Sequence, residues 1–571
     1  MAALGINCMA HDTSAALTVD GQLVAAAEEE RLNREKHTWE FPDRAVTWCL
    51  RSAGLTMRDV DVVAFDYRPG LEYLRALWFD ILPRLPASSG YLRFWSRVEW
   101  QRVQKIRSFR RRWQYTGRIE LVDHHRAHAA SSYLCSPFED AVALVIDRAG
   151  DSLSTAAYRC SGTRLERLMH VRLPHSLGEL YSGVTWWLGF QPGSDEGKVM
   201  ALASYGDDSC GEDFRALVRP GPGGEFRLDT TWMGRHRENG WVSARFIERY
   251  GPRRDPAEPI ADRHRAVAHA VQQVTEDTAL HMARHLGDGS TRNLCLAGGV
   301  CLNSVMNTRV LLEGPFERLF VPPAPGDAGN AVGAALAAAH RQSPAPRFRM
   351  EHAYWGPEFS AAEIEAALEA GGHAYYRTAD PSLEAARLLA GGSIVGWFQG
   401  AMEFGPRALG NRSILADPRV ASAKDRINRL VKHREPFRPF APAVLEDHVE
   451  DWFEPALASP FMLLVLPVRE ERRSEVPAIV HVDGTGRLQT VRPETNERFS
   501  RLIGRFCELT GVPMVLNTSF NDRNEPIVCS PADALRSLRT TQLDVCVIGP
   551  YVVRACDPRA ETAGGVDRPQ R

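Results

Sequence analysis

The chain has 571 residues, 44% of them apolar and 25% charged, with a formal net charge of −2. That length calls for two or three domains, and the near-neutral balance gives no electrostatic basis for general nucleic-acid binding. No apolar run reaches the length of a membrane span, the start lacks the pattern of a secretory signal, and eleven cysteines without a CxxC pair read as reduced thiols of a cytoplasmic protein.

A first strand is expected at Ala3–Cys8. A hairpin follows around Val19-Asp20-Gly21-Gln22, where Asp-Gly between apolar runs signals a tight turn. Next come a helix, strands at Val60–Phe65 and Ile119–Val122, a helix from about Arg126 and a strand at Ala141–Asp147. A hairpin followed by alternating strands and helices is an α/β pattern with a mixed sheet. It starts again later, with a helix around Arg265–His285, strands at Asn293–Ala297 and Arg318–Val321, and helices after Gly299 and from Ala328. Two such lobes would face each other across a cleft, although no internal repeat is visible in the sequence. Residues 341–350 (RQSPAPRFRM) read as a linker, a second mixed α and β domain follows, and the tail after Asp557 is polar.

Residues 91–118 carry nine basic residues against one acid, Glu99. Trp95, Val98, Arg102, Ile106, Phe109 and Trp113 share a helical face. The segment is either a solvated helix covering the first lobe or a lid over an anionic or carrier-bound acceptor.

The richest stretch for chemistry is 397–445, with seven Arg, two Lys and one His among Gly-Pro turns. Arg407 and Arg412 lie in GPRALGNR and Arg438 in FRPFAPAV. Arginine held rigid in an apolar surround binds phosphate or carboxylate bidentately. The alternative is a structural network with Glu403 and Glu435.

His124 and His128 are one helical turn apart, a spacing that lets two imidazoles share a metal. Asp147 and Asp327 each follow a strand, where carboxylates of α/β domains meet metals and nucleotides. LAGGVCLN (Leu296–Asn303), HSLGELY and SDEGKVMALASYG are Gly-turn elements able to present backbone N–H groups to an anion. His11-Asp12 follows the first strand and offers a general base. Asn517, Ser519 and Asn521 follow a strand at Pro513–Leu516, and Arg487 adds a cation.

Together these stretches resemble the NodU/HypF-type carbamoyltransferase family, which includes enzymes that tailor antibiotics. HDTSAAL, AAEEERLNREKH, HHRAHAASS, HSLGELY, DEGKVMALASYG, LAGGVCLN, GDAGNAVGAAL, MEFGPRALGNRSILADPR, REPFRPFAPAV, HVDGTGRLQTV, TGVPMVLNTSFN and EPIVCSP carry the likeness to about residue 556. The resemblance implies a two-lobed actin-like-ATPase (ASKHA) domain over 1–345, a YrdC-like α/β domain over 346–556 and a tail over 557–571. It implies that carbamoyl phosphate and ATP yield carbamoyl adenylate in the second domain, and that the first transfers the carbamoyl group to a hydroxyl of a small natural product.

By the same resemblance, Arg407 and Lys432 are catalytic, beside Arg438 and Arg487, and Asn517 and Ser519 hold the nucleotide. His124, His128, Asp147 and Asp327 hold a divalent metal, Fe2+ by the family pattern. Gly178, Gly299 and Asn303 hold adenylate, His11 is the base, and Asp12, Lys36 and His37 bind the acceptor. No nucleic-acid or membrane partner is implied, and a homodimer is left open. Transfer to nitrogen and a non-catalytic nucleotide-binding module are the competing readings. Ala401, Arg148, Cys301 and Asn330 depart from the family pattern, and Arg148 stands beside the metal carboxylate Asp147.

Overall fold

The computed structural model describes residues 1–8, 11–69, 89–234, 241–342 and 346–554, together with Leu74, Leu77, Trp78 and Leu82. The polar tail and residues 343–345 of the expected linker lie outside the described residues.

The first sheet contains β1 (Ala2–Asn7), β2 (Ser14–Val19), β3 (Gln22–Glu28), β4 (Val62–Phe65) and β5 (Arg118–Leu121), in the order β3-β2-β1-β4-β5. Strands β1 to β3 are antiparallel, and β4 and β5 run parallel to β1. The second sheet contains β6 (Asp140–Gly150), β7 (Leu153–Ser161) and β8 (Arg164–Arg172). A ribbon of β9 (Val218–Pro220) and β10 (Phe226–Leu228) precedes its last two strands, β11 (Asn293–Ala297) and β12 (Arg318–Phe320). Its order is β12-β11-β6-β7-β8, again a meander followed by parallel strands. The two sheets thus share one plan, that of the two-lobed ASKHA architecture. The repeat is one of topology and left no trace in the residues.

Two helices join the lobes. Helix His124–Tyr133 packs against β6 and β11, and helix Asn330–Gln342 packs against it and against β1, β2 and β4. Their contact needs glycine: a Cβ at Gly333 would sit 1.9 Å from the Ala127 carbonyl oxygen. Gly5 does the same for β1, where a Cβ would lie 1.8 Å from the Ala331 oxygen. This close packing fixes the start of helix 124–133 and the turn before helix 330–342 side by side.

Three helix starts differ from expectation, the helix expected from Ala328 beginning at Asn330 after a 3-10 turn over Asp327–Gly329. The helix expected from Arg126 begins at His124. After Gly299 the chain forms a short 3-10 turn to Leu302 before helix Ser304–Glu313, which Asn303 caps.

The remaining strands, β13 (Tyr375–Arg377), β14 (Val395–Phe398), β15 (Arg412–Ala416), β16 (Ala441–Leu445), β17 (Leu464–Pro467), β18 (Thr485–Val491), β19 (Met514–Ser519), β20 (Val545–Ile548) and β21 (Tyr551–Arg554), form one mixed sheet with a core of its own. Its order is β13-β21-β20-β14-β15-β19-β16-β18-β17. Several contacts tie it to the lobes: Arg34 donates to the Pro526 and Ile527 carbonyls, Lys198 pairs with Glu435 at 3.0 Å, and Asn307 donates to the Leu463 carbonyl.

The basic segment forms helix Ser89–Arg112. Phe109, 1% exposed, packs edge-on against Phe65, and Trp100 on the outer face is 63% exposed. Among the described residues no helix is long and apolar enough to cross a membrane.

Candidate active site

At the junction of the lobes, one ligand atom each from His124, His128, Asp147 and Asp327 falls within 4.8 Å of all the others. The two Nε2 atoms are 3.2 Å apart, His124 Nε2 is 3.4 Å from Asp147, and His128 Nε2 is 3.4 Å from Asp327. Ligands at 2.0–2.1 Å around a tetrahedral ion stand roughly 3.3 Å apart, so this set fits a single cation. The surroundings fit as well. Asp66, fully buried at the end of β4, lies 3.6 Å from His124 Nδ1, and Asn330 bridges the two. The Gly299 N–H donates to the second oxygen of Asp147 at 3.0 Å. Burial favours a neutral His124, yet Asp147 and Asp66 outweigh it and hold the imidazole well above its usual range. That buried excess of carboxylate is what a divalent cation neutralises, and partners such as Asp66 orient ligating imidazoles. Asp66 was missed in the sequence, although it carries the signal used for Asp147, a carboxylate ending an apolar strand.

The adenylate candidates have mixed surroundings. Ser176 caps helix Leu177–Trp187, and Gly178 lies so close to the Arg148 backbone that a Cβ would be 2.7 Å from its Cα. The Asn303 side chain is engaged, accepting from Met306 N and exchanging hydrogen bonds with Gln272. Arg148 does not pair with Asp147. Its Nη1 and the Nε2 of His11 both lie just under 4 Å from the Cβ position of Gly193, at 3.9 and 3.8 Å.

His11, Asp12 and His37 form a second cluster. His11 Nδ1 is 2.8 Å from one Asp12 oxygen, His37 Nδ1 is 2.7 Å from the other, and His37 Nε2 is 3.0 Å from Ser194 Oγ. Asp12 and His37 have φ of 58° and 56°, a left-handed conformation that costs free energy in non-glycine residues. The Glu30 carboxylate holds the His37 N–H at 2.8 Å. Burial favours the neutral His11 ring, but the hydrogen bond and charge of Asp12 raise the imidazole above its usual range. Lys105 on helix 89–112 donates to the carbonyls of Cys8 at 2.6 Å and Trp39 at 3.0 Å, strapping together the loops that carry this cluster.

The arginine-rich stretch forms a third site. Arg407, Arg434, Arg438, Arg487 and Lys432 lie close enough that their charges oppose one another. Burial and the neighbouring Arg438 push the Arg407 guanidinium down to about 10. Buried N–H groups of Arg407 (Nε), Arg434 (Nη2) and Arg487 (Nε) have no partner among the described residues. Buried charged donors are ordinarily paired, so these free N–H groups suit the site to an anion. Lys432 donates to Asn521 Oδ1 at 2.6 Å and to the Ser519 carbonyl, and Lys36 lies near enough to act on its charge. Asn517 is fully buried and donates to the Ala408 carbonyl and to Gln489, so its amide supports the loop carrying Arg407.

Two expectations for this stretch are corrected. Arg412 is no part of the anion site: fully buried, it donates to the carbonyls of Gln399, Gly400, Asn411 and Pro357 and stacks over Phe398 at 3.7 Å. Glu403 pairs with no arginine side chain; it accepts the N–H groups of Leu409, Asn411 and Arg412 and so shapes the loop. Arg434 belongs to the cluster and was not singled out by its sequence setting.

The family model for the carbamoyltransferase N-terminus matches residues 2–336, and that for the carbamoyltransferase C-terminus matches residues 386–555. Nodulation protein NolNO of Sinorhizobium fredii is 39% identical over 96% of this chain and 79% of its own length. Nodulation protein NolO of Bradyrhizobium diazoefficiens is 41% identical over 76% and 79%. Among solved structures, HypF of T. kodakarensis aligns with 60% of this chain and 47% of its own at a TM-score of 0.32 and 12% identity. The Clostridium difficile activator of 2-hydroxyisocaproyl-CoA dehydratase aligns with 60% and 95%, also at 0.32, with 13% identity. Likeness at that level adds nothing to the fold already described.

Proposed function

Because the chain belongs to the carbamoyltransferase family, we propose that it is an ATP-dependent O-carbamoyltransferase that draws on carbamoyl phosphate and acts on a hydroxyl of a small natural product. The observation that carries this reading is the cation cluster of Arg407, Arg434 and Arg487, each with one buried N–H that has no partner among the described residues, which suits two phosphorylated substrates. In the proposed sequence, water hydrolyses carbamoyl phosphate to carbamate and inorganic phosphate, and a carbamate oxygen attacks the α-phosphorus of ATP. The bond from Pα to the bridging oxygen breaks, and pyrophosphate leaves with the electron pair. Free carbamate decomposes in water, so a buried site with fixed cations suits the step.

The carbamoyl adenylate then reaches the lobes. There His11, with Asp12 holding its Nδ1, presents Nε2 to remove the acceptor hydroxyl's proton as oxygen attacks the carbamoyl carbon and AMP departs. A positioned base contributes roughly 10²–10⁴-fold. His124, His128, Asp147 and Asp327 would hold a divalent cation, Fe2+ in this reading, which supplies positive charge for the adenylate phosphate. The largely buried free thiols suit a reducing, cytoplasmic setting.

Two substitutions test the division of labour. Lys432→Ala is expected to abolish carbamoyl-phosphate-dependent pyrophosphate release from ATP. His11→Ala is expected to keep that release and stop carbamoylation of a hydroxyl acceptor. Full release in the lysine variant, or full transfer in the histidine variant, would reject the corresponding role.

A further inference from the structure

The outer face of the basic helix Ser89–Arg112 has no part in the proposed reaction. The inner face is settled: Phe109 is buried against Phe65, and Glu99 is buried and accepts from the Tyr67 hydroxyl at 2.8 Å. The cations off the outer face are engaged as well. Arg102 stacks over Tyr67 at 4.4 Å, Lys105 holds two carbonyls, Arg110 donates to the Gly117 carbonyl at 2.9 Å, and Arg112 pairs with Asp43. Arg93, Arg97, Arg107 and Arg111 are different. All four are exposed, and none has a hydrogen bond or ion pair from its side chain among the described residues. With Trp100, itself 63% exposed, they fall inside an arc of roughly 80° at about 100° per residue. They form a strip along about 27 Å of helix, with two arginines at each end and an indole in the middle.

We propose that this strip is a docking surface for an anionic lipid bilayer, on which the helix lies without crossing it. The proposal is independent of the adenylate reading, and the family resemblance implies no membrane partner. The sorting of the arginines points to a ligand outside the protein. A chain of formal net charge −2 gathers nine basic residues against one acid between 91 and 118, engages those that face inward or sideways, and leaves one file of four unpaired. Guanidinium groups match phosphate with parallel N–H donors, and tryptophan settles at the level of lipid headgroups. More apolar side chains stand out just before the helix: Leu74, Trp78 and Leu82 are 60%, 69% and 40% exposed. Exposed leucine and tryptophan beside arginines of a single sign is the composition of helices that lie at a membrane surface. Length favours a bilayer over an acidic protein. A bilayer offers phosphates along the whole strip in any register, whereas a protein partner would need carboxylates placed to reach both ends. The same helix reaches the first lobe's chemistry through Lys105, which holds the loops at Cys8 and Trp39.

The test is co-sedimentation of the full chain with vesicles of phosphatidylcholine alone and of equal parts phosphatidylcholine and phosphatidylglycerol. The parent is expected to sediment with the anionic vesicles, to leave them as added salt screens the charges, and to stay in solution beside the neutral ones. Each arginine near an anionic surface strengthens partitioning roughly fivefold. Arg107→Gln with Arg111→Gln is therefore expected to weaken it about 10- to 30-fold, and Arg93→Gln with Arg97→Gln, at the other end of the strip, to do the same. Trp100→Ser is expected to weaken partitioning severalfold and leave its salt dependence unchanged. All five positions are exposed, so the variants should melt at the parent's temperature, which checks that they are folded. No binding of the parent to anionic vesicles at low salt overturns the proposal, as does parent-like binding by both double arginine variants. Binding of soluble polyglutamate without binding to vesicles would give the strip to an acidic protein and overturn it too.

Discussion

The cation cluster makes a prediction in which stability and activity move in opposite directions. Arg407 has a buried, partnerless Nε and the repelling charge of Arg438 beside it. Burial first, and Arg438 second, hold it well below the ordinary guanidinium range, at about 10, so the site disfavours the charged form by a few kcal/mol, at about 1.36 kcal/mol per tenfold change. Arg407→Met keeps most of the side chain's bulk and removes that penalty. The ligand-free variant is therefore expected to unfold at a temperature equal to or a few degrees above the parent's, since part of the gain is offset by lost packing. A hydrogen bond to a charged group contributes about 1.5–3 kcal/mol, so the same change is expected to weaken carbamoyl phosphate binding roughly 10- to 150-fold. Differential scanning fluorimetry with and without carbamoyl phosphate, beside a pyrophosphate-release assay, reads both quantities. A variant that melts well below the parent and keeps the parent's KM for carbamoyl phosphate would show that Arg407 is a structural residue.

The other predictions concern the lobes. Asp12 holds His11 above the usual imidazole range, so the neutral, proton-accepting ring becomes abundant above that raised value. Transfer should rise with pH through it, and Asp12→Asn should move this limb to lower pH; an unmoved limb would remove His11 as the titrating base. His128→Ala should release bound divalent metal, measured by elemental analysis of the purified protein, while pyrophosphate release in the other domain persists; undiminished metal content would dismiss the four-residue set. Lys105→Met should loosen the loops at Cys8 and Trp39, raising the acceptor KM or lowering the transfer rate severalfold without altering pyrophosphate release. If both steps fall equally in that variant, the helix serves stability rather than acceptor positioning.

Elements that depend on local pattern were legible in the sequence. The Asp-Gly hairpin, the strand at Asn293–Ala297 and the i, i+4 histidines all follow from spacing, and the structure shows each. What escaped depended on partners distant in the chain. Asp66 comes to support His124 because Asn330 and His124 lie 264 and 58 positions away in the chain. Arg407, Arg412 and Arg434 look alike in an arginine-rich stretch, yet one faces a cation cluster, one is wrapped by four carbonyls, and one belongs to the cluster while lining a cavity at the π turn Ile427–Val431. The difference arises from a loop shaped by Glu403 and from a π turn, and neither leaves a periodic signal.

A single segment explains how two chemical centres stay in register. Residues 28–37 leave β3 and touch both. Arg31, buried with Glu28 at 2.8 Å, donates to the Gly405 carbonyl two residues before Arg407. Arg34 holds the carbonyls of Pro526 and Ile527, beyond the 519–521 loop that receives Lys432. Glu30 fixes the left-handed His37, which in turn grips Asp12 beside His11. The loop bearing Arg407 and the loop bearing His11 are therefore anchored to the same ten residues. In the proposed reaction, a flexible linker alone would leave the labile adenylate to cross between surfaces free to separate. For the two-step reaction proposed above, anchoring both loops to one buried ion-paired segment holds the two centres in a fixed relation.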